Sequence, residues 1–206
     1  MRMRKKKWVA PFLESENRYL LRNPKSLATK LPVYLEIGMG MGDFITQSAN
    51  ANKDVFYLGL ERDETCVARA IQKAEELELE NFQVILGNAM MIGEMFDESS
   101  IDRIYLHFSD PWPKKGHHKR RLTYGSFLEM YARILKPHGD LVFKTDNRPF
   151  FDDSLEYFAN SAFKTDVVDY DYHRISRSEP MTGYEAKFSA LGEKINYAHF
   201  LLDKDN

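Results

Sequence analysis

The segment SDPWPKKGHHKRR, residues 109–121, places one carboxylate beside a dense cluster of positive charge. Pro111 and Pro113 follow and bracket Trp112 after Asp110, and each proline fixes a backbone φ angle. A loop stiffened in this way holds the Asp110 carboxylate at a small entropic cost. Trp112 has two interpretations, stacking on a base or packing as part of the protein scaffold. A fixed carboxylate here is suited to stabilising positive charge on a bound substrate.

Every residue from Lys114 to Arg121 except Gly116 is basic or a histidine. Five of them can contact the phosphate backbone of a nucleic acid, and such binding weakens steeply with salt: Lys114, Lys115, Lys119, Arg120 and Arg121. The alternative is a solvated loop that balances acidic residues elsewhere. His117 and His118 are adjacent and have no third ligand nearby in the sequence, so we predict no metal site.

A second segment with chemical potential is EIGMGMGD, residues 36–43, in which Gly38, Gly40 and Gly42 have the spacing GxGxG. Glycine allows a tight turn and a close approach of the backbone to a ligand. Glu36 precedes these glycines, and an acid there suits a cation better than a pyrophosphate. S-adenosylmethionine carries a sulfonium and an amino group and has no phosphate. In the rival class, the NAD-type dehydrogenases, the third glycine falls one residue later and an acid at this place is unexpected.

Two further polar residues follow apolar runs downstream of the glycine loop. Glu61 comes 19 residues after Gly42 and can accept hydrogen bonds from both ribose hydroxyls of a nucleoside. Asn88 follows the next apolar run and can bind the edge of an adenine. These positions favour a nucleoside-containing ligand.

Apolar runs typical of strands alternate with stretches of helical periodicity along the chain. We predict strands at 33–38, 55–61, 82–88, 101–108 and 140–147, and helices over 43–50, 64–79, 127–135 and 150–160, with KPHG (136–139) ending the third helix. Two longer strands, 163–172 and 195–202, are close enough in sequence to pair antiparallel. This alternation predicts an α/β fold with a doubly wound, mostly parallel sheet and helices on both faces. The polar residues described above would then meet beyond the carboxyl ends of the strands.

The bulk composition is that of an ordinary globular protein of 206 residues with a net charge of -2. Any polyanion must therefore be bound by local basic patches. The single cysteine, Cys66, excludes an internal disulfide and a cysteine-based zinc site. We divide the chain into a basic N-terminal arm and lead-in (1–30) and one domain (31–206). No run reaches the roughly 18 apolar residues of a membrane span, so we expect a cytoplasmic monomer or homodimer that does not bind a membrane.

The glycine loop with its two acids resembles the class I S-adenosylmethionine-dependent methyltransferases. That resemblance implies a Rossmann-like sheet of seven strands with the last strand antiparallel. The wider combination EIGxGxG, GLE, GN, SDPWPKKxHxKRRL, LKPxG, FKTDN and late TxYE resembles the bacterial TrmB family, the tRNA (guanine-N7)-methyltransferases. The likeness extends from about Val33 to Leu202, and its most specific part is the DPWPKKxHxKRR block. It implies S-adenosyl-L-methionine as methyl donor, tRNA as partner, and methylation of a variable-loop guanine at position 46 by convention.

The resemblance also implies roles residue by residue. Contacts with the methyl donor are implied for Glu36, Gly38, Gly40, Gly42, Glu61, Asn88 and Asp110, of which Asp110 is also the catalytic carboxylate. Contacts with the guanine are implied for Lys114, Asp146, Thr182, Tyr184 and Glu185. Contacts with the RNA are implied for Lys115, Gly116, His117, His118, Lys119, Arg120 and Arg121.

Two alternative functions remain open at this point. One is methylation of another RNA base atom or of a small molecule, although enzymes that methylate amines favour a (D/N)PP(Y/F) loop, which SDPWP does not match. The other is a non-catalytic RNA-binding module, against which the intact glycine loop argues. Guanine N7 has a free lone pair, so we expect Asp110 to position the base and stabilise charge rather than to remove a proton. Asp146 also has a purely structural interpretation, as an acid that caps a turn before Asn147.

Overall fold

The computed structural model describes residues 6–172 and 180–203. Within these ranges seven strands form one sheet: β1 (Val33–Ile37), β2 (Phe56–Glu61), β3 (Phe82–Leu86), β4 (Ile101–His107), β5 (Leu135–Thr145), β6 (Phe163–Asp169) and β7 (Asn196–Leu202). Their spatial order is β3-β2-β1-β4-β5-β7-β6. The first five pair in parallel, and β7 lies antiparallel between β5 and β6. The predicted doubly wound sheet with an antiparallel last strand is confirmed.

Helices cover both faces of the sheet, as predicted. They are α1 (Val9–Glu14), α2 (Asp43–Ala51), α3 (Glu64–Glu76), α4 (Ile92–Met95), α5 (Gly125–Ile134), α6 (Arg148–Ala159) and α7 (Gly183–Ala190). Strand residues alternate between two apolar clusters because successive side chains point to opposite faces. Leu106 belongs to the cluster with α4, α5 and α6, whereas its neighbour Tyr105 belongs to the cluster with α1, α2 and α3. Glu36 is the register partner of Tyr105, His107 lies two residues after Tyr105 on β4, and Lys144 is the register partner of His107. These three side chains therefore lie on the face of the sheet that α1, α2 and α3 cover.

The third helix ends just before KPHG, close to the predicted position, but KPHG itself lies within β5, so the predicted start of that strand at residue 140 is wrong. α5 ends at Ile134 and β5 begins at the next residue. Ile101 pairs with Leu135 but Arg103 pairs with Asp140, so the extra residues of β5 form a bulge, where a proline is tolerated. A side chain on Gly139 would meet two backbone oxygens at 2.9 and 3.0 Å, so the bulge requires glycine there.

The lead-in segment packs against the rest of the fold. Val9 and Leu13 of α1 are buried in the same cluster as α3. Val84 of β3 donates to the Tyr19 carbonyl, and its own carbonyl accepts from Leu21, which places the lead-in along the edge of the sheet. The division at residue 30 stays a prediction, and residues 1–5 of the basic arm lie outside the described ranges. No helix in those ranges is long and apolar enough to cross a membrane.

Candidate active site at the carboxyl edge of the sheet

The glycine loop connects β1 to α2 and has a left-handed backbone. Gly38, Gly40 and Gly42 have φ angles of 76°, 56° and 75°, a region that L side chains enter at a cost. Gly42 forms the N-cap of α2, and a Cβ there would lie 2.8 Å from the Cβ of Ala70 on α3. A Cβ on Gly40 would meet no described residue within 4 Å apart from its chain neighbours. Gly42 therefore serves helix packing, whereas Gly40 borders open space that a ligand can enter.

Glu61 ends β2 and supports this loop from below. One of its carboxylate oxygens accepts from the Gly40 amide at 3.1 Å, and the other accepts from the amides of Arg62 and Asp63 at 2.8 and 3.0 Å. Asn88 follows β3, is exposed, and accepts from the Met90 amide at 3.1 Å. Because these groups follow neighbouring parallel strands, the predicted acid and amide lie at the same edge as the glycine loop.

Glu36 is buried and faces a histidine that the sequence interpretation missed. Its Oε1 lies 3.0 Å from Nδ1 of His107, while its Oε2 and Nε2 of His107 have no hydrogen-bond partner in the described part of the chain. Burial raises the pKa of Glu36, and the nearby Lys144 ammonium opposes that rise. Burial and the same ammonium lower the pKa of His107, which is therefore neutral near pH 7. A buried carboxyl oxygen without a partner is costly, and a cationic ligand there would both satisfy it and favour the ionised carboxylate.

Asp110 lies just beyond β4 on an exposed loop. Its carboxylate is 3.9 Å from the Arg62 guanidinium, which comes from the loop after β2. Trp112 is partly exposed rather than part of the core, and has a φ angle of 40°. The Arg120 guanidinium lies 5.0 Å from its ring centre, and the His117 ring lies edge-on at 5.8 Å. Trp112 therefore packs against Arg120 and His117 of the basic segment, residues 114–121.

The basic segment folds as a 3-10 helix over Lys115–Arg120. Its lysines and Arg120 are exposed, as are Lys114 and Gly116, while His117 and His118 are partly buried. This arrangement leaves the exposed side chains accessible to a polyanion.

Arg121 differs from its neighbours, and the expectation that it contacts RNA does not fit its position. The side chain is 3% exposed. It donates to the Pro111 carbonyl at 2.7 Å, to the Asp153 carboxylate at 2.6 Å and to Tyr157 Oη at 3.3 Å. Because α6 carries Asp153 and Tyr157, Arg121 fastens the Asp110 loop to that helix.

Four residues predicted to contact the substrate come together around α7, a helix that was not predicted. Thr182 caps this helix by accepting from the Glu185 amide at 2.9 Å, and the Glu185 carboxylate accepts from the Thr182 amide at 3.4 Å. The Tyr184 hydroxyl donates to Asp146 at 3.2 Å, and its ring packs 5.0 Å from that of Phe108. Asp146 does not cap the turn that follows, because the Asn147 side chain accepts from the Phe150 amide and caps α6.

Glu185 is fully buried and is paired with a lysine that sequence reasoning also missed. Lys144 of β5 is 2% exposed, and its Nζ lies 3.3 Å from Oε1 of Glu185. Lys144 stands in a run of buried residues, LVFKT, so a charge inside an apolar strand was the available signal. Among the described residues no cluster of three or more potential metal ligands occurs.

Comparison with known proteins gives a consistent result. A family described as "Putative methyltransferase" matches residues 30–198. A tRNA (guanine-N(7)-)-methyltransferase of Clostridium botulinum strain Hall is 38% identical over 96% of this chain and 97% of its own length. One from Geobacillus sp. strain WCH70 is 40% identical over 95% and 93%. The solved structure of an antibiotic-related methyltransferase has a TM-score of 0.62 at 18% identity, covering 88% of this chain and 98% of that one, which shows a shared fold.

Proposed function

The chain belongs to the family of tRNA (guanine-N(7)-)-methyltransferases, and we propose that it methylates N7 of a guanine in tRNA, at position 46 of the variable loop. S-adenosyl-L-methionine is the methyl donor in this proposal and N7-methylguanosine the product. The observation that carries it is a single edge of the sheet. There the open glycine loop and a Glu36 oxygen that has no partner among the described residues lie at the end of β1, next to β4, which leads into Asp110 and the exposed basic segment.

The residues at the glycine loop fit a donor that carries positive charge. Glu36 offers a buried oxygen that has no hydrogen-bond partner in the described parts of the chain, and Gly40 leaves room for close approach. Glu61 is held by backbone amides, so its remaining lone pairs are oriented for ribose hydroxyls, and Asn88 is exposed at the next strand end. The donor supplies an electrophilic methyl group through its sulfonium. The role of the chain is to hold it still.

The chemistry at N7 requires orientation and charge stabilisation more than proton transfer. N7 already has a lone pair, and alignment of the reacting atoms contributes several kcal/mol, on the order of 7–11 in the best-oriented reactions. Methylation places positive charge on the guanine ring. Asp110 and Asp146 each follow a strand at this edge, and we assign to them the stabilisation of that charge and acceptance from the N1–H and N2–H groups.

The RNA is bound by exposed cations of the basic segment. Lys114, Lys115, Lys119 and Arg120 are accessible and can neutralise phosphates. We assign a supporting role to Arg121, because its hydrogen bonds to α6 and to Pro111 keep the Asp110 loop in place.

The experiment that tests the proposal is a methylation assay with unmodified tRNA transcripts and labelled donor. Borohydride and aniline treatment then cleaves the RNA at N7-methylguanosine. Cleavage at the variable-loop guanine, lost in a matched transcript in which that guanine is replaced by adenine, is the expected result. Cleavage at a different guanine would overturn the assigned position alone. Labelled tRNA that is not cleaved would move the reaction to another atom, and unlabelled tRNA would refute the proposal.

A further inference from the structure

The pair formed by Lys144 and Glu185 buries two charges close to α7 and the residues that we expect to bind the guanine. Their side chains are 2% and 0% exposed and their charged atoms are 3.3 Å apart. Lys144 also lies with its Nζ 4.3 Å from the centre of the Tyr172 ring. Burying an ion pair carries a large desolvation cost, and removing one partner leaves a buried charge uncompensated. A buried ion pair contributes little net stability, so a role in fixing the geometry of the site is the better explanation.

Glu185 connects this pair to α7. Its carboxylate accepts from the Thr182 amide while its own amide donates to Thr182 Oγ1, so the buried residue also closes the start of the helix. Tyr184, the next residue toward the N-terminus, reaches Asp146 and Phe108. The position of Glu185 therefore sets where Thr182 and Tyr184 stand relative to Asp146.

The N-terminus of α7 also lies close to the glycine loop, where we expect the donor to bind. A Cβ on Gly183 would lie 2.6 Å from Oδ2 of Asp43, the first residue of α2 after the glycine loop. Asp43 is itself held by a short ion pair with Lys73. On β4, His107 is the register partner of Lys144 and contacts Glu36. Lys144 thus lies between the Glu36–His107 pair, near the expected donor site, and α7, which carries residues expected to bind the guanine.

We propose that Lys144 is a positioning residue, which holds α7 through Glu185 and so sets the guanine-binding geometry against the donor. This inference rests on the proposed function. Lys144 acts through Glu185 and needs no contact with tRNA or donor. Its loss should therefore affect the use of tRNA and leave donor binding in place.

Lys144→Met tests the inference, because methionine keeps most of the length and removes the charge. We expect kcat/KM for tRNA to fall about 100-fold, the effect of roughly 1 Å of misplacement, while the donor Kd from calorimetry stays within about threefold or tightens. Lys144→Arg should recover part of the activity. Lys136→Met is the matched control, since Lys136 lies at the other end of β5 and pairs with Asp102. It should retain wild-type kinetics.

Glu185→Gln provides a second test that does not depend on Lys144→Met folding. It keeps the shape of the side chain, and should show the same split between tRNA use and donor binding. Combining it with Lys144→Met, or with Lys144→Arg if the former does not fold, should add little further loss because both changes remove one interaction. Additive losses, parallel loss of donor affinity, or a tRNA kcat/KM within threefold of wild type would overturn the inference. A wild-type protein that methylates no tRNA would overturn the proposed function and this role with it.

Discussion

Gly40 and Gly42 have the same left-handed backbone but different surroundings, so replacing each with alanine separates ligand binding from stability. Both alanines would adopt a conformation that costs about 1–2 kcal/mol. Gly42→Ala would also drive a methyl group to 2.8 Å from the Cβ of Ala70, and overpacking of this kind costs about 1–3 kcal/mol. We therefore expect Gly42→Ala to lose about 2–5 kcal/mol of unfolding free energy and Gly40→Ala about 1–2 kcal/mol.

Urea unfolding at 25 °C measures the free energy of unfolding of each variant, and calorimetry with S-adenosyl-L-methionine measures its affinity for the donor. The expected loss for Gly42→Ala corresponds to a fall of roughly 4–20 °C in Tm for a domain of this size. Gly40→Ala should instead weaken donor binding at least tenfold, because its methyl group enters space in which no described residue other than its chain neighbours lies within 4 Å.

Two results would refute this reasoning in different ways. Wild-type donor affinity in Gly40→Ala would show that the open space beside Gly40 is not where the donor binds. Equal stability of the two variants would show that the close approach of α2 and α3 at Ala70 relaxes without cost.

Three further predictions concern charge. Asp110→Asn should lower kcat about 100-fold by removing the carboxylate that opposes the developing charge, and a wild-type single-turnover rate would disprove that role. His199, on β7, has a pKa raised by the carboxylates of Asp140 and Asp166, whose oxygens lie 3.4 Å from its Nε2 and 2.8 Å from its Nδ1. Its stabilising effect is therefore complete below pH 6.5 and is lost as pH rises through the higher folded-state pKa. Unfolding free energies between pH 5 and 9 should show this loss in the wild type and not in His199→Gln, and superimposable profiles would contradict it. Lys115→Ala should reduce the salt slope of tRNA binding by about 0.7–0.9, whereas Arg121→Ala should lower Tm and leave that slope within error. A reduced salt slope in Arg121→Ala together with an unchanged slope in Lys115→Ala would show that Arg121, and not Lys115, contacts the RNA.

The sheet and the glycine loop were predictable because their signals are local. Buried strands are continuous apolar runs, and parallel strands place their carboxyl ends at one edge whatever the loops do. Glu36, Glu61 and Asp110 could be assigned to that edge from their positions after such runs. The bulge in β5 was not predictable, because KPHG has the composition of a helix end and its pairing with β4 depends on a strand more than 30 residues away.

The interior of the site depends on pairs that are distant in sequence. Arg120 and Arg121 are chemically equivalent in the sequence, yet one is exposed and the other buried, because Asp153 and Tyr157 on α6 bind only the second. Glu185 was assigned to the guanine through the family resemblance, and its buried pairing with Lys144 was missed because that partner lies 41 residues away. A strongly buried charge inside an apolar strand was the one local sign of that pair.

The charges at the edge also bear on product release. The Lys144 ammonium is paired with the Glu185 carboxylate, while Glu61 ends β2 and Asp110 follows β4, the two strands on either side of β1. The donor carries a sulfonium charge that disappears when its methyl group is transferred, while the guanine gains a charge. In the proposed site, carboxylates at this edge therefore attract the donor more strongly than the demethylated product. In the proposed reaction, the loss of this charge favours exchange of the spent donor for fresh donor.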